Sequence, residues 1–90
     1  MGTPHAMLQL ARYHLRAGDR ARAEREFNEA IARSVNPFNR HLRRGEMLLR
    51  FYPERRAEAR AEFEAAAAVV PTSGLPRYWI QLADSGEAIH

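Results

Sequence analysis

Two twelve-residue stretches of this chain are near copies of each other, 36 residues apart: ARAEREFNEAIA over Ala21–Ala32 and AEARAEFEAAAA over Ala57–Ala68. Both carry a small–large–small skeleton, Ala23, Phe27 and Ala30 in the first and Ala59, Phe63 and Ala66 in the second. Spacings of four and three residues bring such a triplet onto one face of a helix. A recurrence of this length constrains the fold strongly. It marks a supersecondary unit that cannot bury its apolar face alone and stacks against its neighbours. Stacks of that kind work by presenting a surface, and seldom by carrying out chemistry.

The punctuation of the chain supports five helices. Thr3-Pro4 reads as an N-cap followed by proline at the first helical position, and Gly18 as a left-handed stop after a helix over about 5–17. That helix has its apolar stripe at Met7, Leu8, Leu10, Ala11 and Leu15, with His14 beside it. Asp19 caps a second helix over about 20–34, with Ala23, Phe27, Ala30 and Ile31 facing the core. The opposite face pairs Arg22 with Glu26, Arg25 with Glu29 and Glu29 with Arg33, a solvated arrangement. Asn36-Pro37 restarts the chain into a third helix over about 37–51, with Phe38, Leu42, Gly45, Leu48, Leu49 and Tyr52 as its apolar or small positions. Glycine inside a helix costs about 1 kcal/mol relative to alanine, so Gly45 implies that another helix crosses closely there. Tyr52-Pro53 breaks the chain before a fourth helix over about 54–69. Pro71–Gly74 is a loop, and a fifth helix over about 76–85 carries Tyr78, Trp79, Ile80, Leu82 and Ala83.

The first helices of successive units compare as Met7-Leu8-Gln9-Leu10-Ala11, His41-Leu42-Arg43-Arg44-Gly45 and Trp79-Ile80-Gln81-Leu82-Ala83, each ending on a small residue. With Ala17-Gly18-Asp19 at a turn and Ala-x3-Phe-x2-Ala in the second helix, the chain resembles the tetratricopeptide repeat family. Unit one would span 4–37 and unit two 38–75, with a terminal helix over 76–85. Residues 1–6 read as a tag or disordered leader and 7–90 as one domain. The sequence departs from the family pattern in four places, one being that Glu54-Arg55 replaces the Gly-Asp turn of unit one. Ala11 to Ala23 is 12 residues but Gly45 to Ala59 is 14, Arg44 stands where leucine is usual, and Pro37 falls two residues late. The resemblance implies an all-α, right-handed stack of antiparallel hairpins. Its structural core would comprise Ala11, Ala23, Phe27, Ala30, Gly45, Ala59, Phe63, Ala66, Trp79 and Leu82.

It also implies a protein–protein interaction module, a scaffold or adaptor whose first helices line a concave groove. Carried over residue by residue, that groove presents Gln9, Arg12 and Arg16, then Asn39, Arg43 and Arg50, then Arg77 and Gln81. Arginine holds a carboxylate through two parallel hydrogen bonds, so the expected occupant is a protein segment or peptide, acidic in character. The plain alternative is that these arginines are only solvated. A second cluster, Arg40, Arg43, Arg44, Arg50, Arg55 and Arg56 with Glu46 and Glu54 opposing, raises nucleic acid as a less favoured partner. Two and a half units are few for a stable stack. Leu15, Leu49, Phe51, Tyr52 and Trp79 therefore suggest self-association, or docking against a neighbouring segment of a longer protein.

Composition narrows the remaining classes. Apolar residues make up 46% of the 90, enough for a core. There is no cysteine, hence no disulfide framework and no thiolate metal site. All 14 basic residues are arginine, which fits either GC-rich codon usage or selection for bidentate contacts. A net charge of +3 and a pI near 10.2 permit an anionic partner without requiring one. No apolar run reaches the roughly 18–20 residues of a membrane helix. Residues 1–7 lack the apolar stretch of a signal peptide. Together with the missing cysteine this favours a cytoplasmic setting, while a fragment of an exported protein stays compatible. No phosphate loop, His-Glu-x-x-His or serine nucleophile elbow occurs. His5, His14, His41 and His90 are scattered, and Glu62 and Glu64 point in different directions on a helix. No enzyme activity, metal or cofactor is expected.

Overall fold

The computed structural model describes residues 4–86. Residues 1–3, with the Thr3 cap, residues 87–90 and the side chains of residues 4–8, Met7 and Leu8 among them, lie outside the described residues. Among the described residues the structure is helical: α1 (Pro4–Arg16), α2 (Arg20–Ala32), α3 (Pro37–Phe51), α4 (Arg56–Val69) and α5 (Leu75–Ser85), with a single 3-10 turn over Pro53–Arg55. The chain divides into two compact units, Met1–Val35 and Asn36–His90.

In the first unit α1 packs on α2. The turn between them is built from the residues that local chemistry demands. Gly18 adopts φ +89°, a left-handed conformation that costs glycine little. This lets the Asp19 N–H reach back to the His14 carbonyl at 3.0 Å and the Gly18 N–H to the Leu15 carbonyl at 3.1 Å, the pairing of a Schellman stop. Asp19 then caps α2, its side chain accepting from the Arg22 N–H at 3.3 Å. The buried face of α2 is Ala23, Phe27 and Ala30, with Ile31 half-buried at its edge. Ala11 of α1 is fully enclosed.

In the second unit α3 packs on α4 and α4 on α5, with α5 also touching α3. Asn36 caps α3 by accepting from the Phe38 N–H at 2.9 Å, and Pro37 occupies the first turn. The core is Leu42, Met47, Leu48, Leu49 and Tyr52 from α3 and its end, Ala59, Phe63 and Ala66 from α4, and Pro76 and Ala83 from α5. Leu49 and Tyr52 are therefore covered within the chain, whereas Phe51 is half-buried.

The predicted fourth helix begins later than expected. Tyr52 stands before a proline and leaves the helical region (φ −133°, ψ 61°), so the chain makes a 3-10 turn before α4 starts at Arg56. The two extra residues of the second hairpin are thereby accounted for. One lengthens the first helix beyond its small residue: Ala11 lies five residues before the end of α1, and Gly45 six before the end of α3. The other lengthens the connection, from the three residues 17–19 to the four residues 52–55. Both second helices start three residues before their first conserved-pattern alanine, Ala23 or Ala59, so the packing register is kept.

Candidate functional site

Gly45 is the tightest point of the second hairpin. A Cβ placed there would lie 2.6 Å from Cε1 and 2.8 Å from Cδ1 of Phe63, so the ring rests directly on the glycine backbone. Phe63 also stacks on Trp79 of α5, with centroids 5.7 Å apart and planes 15° from parallel. Phe63 is thus clamped between α3 and α5 and is wholly buried. Trp79 and Leu82, expected in the core, are half-buried. The indole has Phe63 beneath it, while the Arg50 guanidinium lies over the ring at 5.9 Å and still admits solvent.

The eight candidate surface residues are all exposed. Gln9, Arg12 and Arg16 lie on α1 in the first unit, spaced by three and four. Asn39, Arg43 and Arg50 lie on α3, and Arg77 and Gln81 on α5, in the second. Within α3 the structure brings Arg43 and Arg50 to one carboxylate, Glu46, which the sequence shows only as an opposing charge. Arg43 Nη1 donates to Glu46 Oε2 at 3.2 Å, and Arg50 Nη2 meets Glu46 Oε1 at 3.1 Å. The signal was present in the spacing, three residues before Glu46 and four after.

Other arginines of the basic cluster are likewise engaged. Arg44 Nη1 donates to Glu62 Oε1 at 3.0 Å. Arg55 grips Glu58 with two donors, Nε at 3.2 Å and Nη2 at 2.7 Å. That fork holds the Glu58 carboxyl below its ordinary titration range, the Arg55 hydrogen bond being the largest cause. Arg43, Arg44, Arg50 and Arg55 each meet a carboxylate, which lowers the net positive charge that the cluster offers to any anion, phosphate and carboxylate alike. On α4, Arg60 reaches Asp84 of α5 at 3.0 Å and also contacts Glu64, and these carboxylates raise its pKa.

Two histidines that the sequence left scattered have defined partners. His14 Nδ1 is 2.7 Å from Glu26 Oε2, and His41 Nδ1 is 2.9 Å from Glu62 Oε2. An ionised carboxylate only accepts, so each histidine donates. Glu26 and Glu62 are equivalent positions of the 36-residue repeat, each just before its phenylalanine. Glu26 is thus not simply part of a solvated face; it ties α2 to α1 and also meets Arg22 at 3.4 Å. These ties hold each hairpin closed and leave the outward face of its first helix open. Among the described residues no group of three or more metal-ligating side chains is assembled, and no helix is long and apolar enough to cross a membrane.

No protein-family model, curated protein or solved structure matches this chain.

Proposed function

We propose that this chain is a protein–protein interaction module of the tetratricopeptide type, a right-handed stack of antiparallel hairpins that takes an acidic peptide or partner segment along its first-helix faces. The observation that carries the reading is the division of labour on α1 and α3. Ala11 and Gly45 are sealed against the second helices, while Gln9, Arg12, Arg16, Asn39, Arg43 and Arg50 all face solvent. Support for the repeat reading comes from Phe63, whose ring is shared between its own hairpin and the next helix, as stacked repeats require. Exposed arginines present planar donor forks suited to carboxylates.

The test is a capture experiment comparing the parent protein with an Arg12→Glu, Arg43→Glu, Arg77→Glu triple variant of matched helix content by circular dichroism. Retention of an acidic segment by the parent, and its loss in the variant, is the expected result. Binding to any oligonucleotide with affinity that falls steeply with salt would instead mark phosphate recognition and overturn the proposal.

A further inference from the structure

We propose that Glu46 is an internal competitor for the carboxylate-binding position on α3, so that capture of an acidic segment exchanges the Glu46 carboxylate for that of the partner. The inference rests on the acidic-segment reading above and adds its regulation.

Three observations carry it. The first is how Glu46 is held. Each of its oxygens is met by a single guanidinium nitrogen, from Arg43 at 3.2 Å and from Arg50 at 3.1 Å. Arg55 shows what a filled fork looks like in the same protein, with two donors on Glu58. Paired fork contacts are the stronger and more specific kind. Arg43 and Arg50 therefore hold Glu46 by one prong each and keep a fork edge for another carboxylate.

The second is the setting of Arg50. Its guanidinium lies over Trp79, and Trp79 is itself stacked on the buried Phe63. A donor braced on a rigid aromatic base loses less freedom on binding. Glu46 sits lower than its arginines, with 20% of its side chain exposed against 64% for Arg43 and 37% for Arg50. The outer edges of the arginines are thus reachable while Glu46 fills the space between.

The third is the corresponding face of α1. Aligning Ala11 with Gly45 places Gln9, Arg12 and Arg16 at the positions of Arg43, Glu46 and Arg50. That face has no carboxylate at the central position. The competitor belongs to the second unit alone, where it lowers affinity for acidic segments and demands an exchange.

Trp79 is the single tryptophan of the chain, and its fluorescence reports movement of Arg50 directly. The experiment titrates a synthetic hexaglutamate peptide into the parent protein and into Glu46→Gln at low ionic strength. Exposed ion pairs are weak, so releasing both arginines should tighten binding by roughly threefold to tenfold. Glu64→Gln, which removes the same charge from α4, should give a much smaller gain. Adding Arg43→Ala and Arg50→Ala to Glu46→Gln should erase the gain, read for this variant by titration calorimetry because Trp79 no longer has Arg50 over it. An unchanged affinity in Glu46→Gln with a binding parent would overturn the inference while leaving the acidic-segment reading intact. An equal gain in Glu64→Gln would overturn it too, as a general charge effect. Failure of every protein to bind the peptide would overturn both.

Discussion

The two hairpins are closed by the same small–large–small code, yet one crosses at alanine and the other at glycine. In the first unit Ala11 and Ala23 are both fully enclosed, and Phe27 is nearly so. In the second, Phe63 is fully enclosed and Trp79 of α5 stacks on it. With the ring pressed onto the α3 backbone, no side chain fits at position 45. A conserved helical face therefore does not fix the closeness of a crossing. The polar fastenings teach the same lesson. Glu26 and Glu62 are equivalent, but their histidines come from different places, three residues after Ala11 and four before Gly45.

The largest expected effect follows from the clamped ring. Phe63→Ala should cost about 3–5 kcal/mol, enough to unfold a domain of this size. Thermal melting followed by Trp79 fluorescence would show it, and a melting point within a degree of the parent would refute the clamp. Phe27→Ala should cost a similar amount by circular dichroism.

The sign of a glycine–alanine exchange sharpens the contrast further. Gly45→Ala would ordinarily gain helix stability, but the Cβ would overlap Phe63 at 2.6 Å. A net loss of about 1–3 kcal/mol is expected from overpacking. Ala11→Gly should also destabilise, by about 1 kcal/mol, through helix propensity. Stabilisation by Gly45→Ala in denaturant titration would remove the distinction between the two crossings.

A smaller difference is expected between the fastenings. Glu62→Gln loses contacts to His41 and Arg44, both from α3, and should cost about 1 kcal/mol, given that the group is partly exposed. Glu26→Gln loses one partner from the opposing helix and should cost less. Equal losses in urea unfolding would show that Arg44 adds nothing to the second hairpin.

The smallest effect is electrostatic. Glu58 titrates lower in the folded protein than it would unfolded, because Arg55 donates to its charged form. Its contribution is present above the unfolded value and disappears as pH falls through the lower, folded one. In an NMR titration Arg55→Ala should return Glu58 upward toward the ordinary carboxylate range, and an unmoved midpoint would show that the fork is not populated.

The helix ends were written in the residues themselves. Gly18, Asp19, Asn36-Pro37 and Tyr52-Pro53 act within about four residues of where they stand, so the sequence located every helix of the described residues to within two residues, with α1 and α3 starting at their prolines. The late start of α4 came from the 3-10 turn after Pro53, again a local cause. The exposure of Arg12, Arg16, Arg43 and Arg50 was equally legible, since helical periodicity separates faces. The tertiary structure alone decided that Phe63 lies between Gly45 and Trp79, that Trp79 is capped by Arg50 and half-open, and that His14 and His41 answer Glu26 and Glu62. Those pairings join residues 12 to 29 positions apart, and their distances depend on how closely helices approach. Periodicity names the face that a residue occupies, but the neighbour it meets there is set by packing.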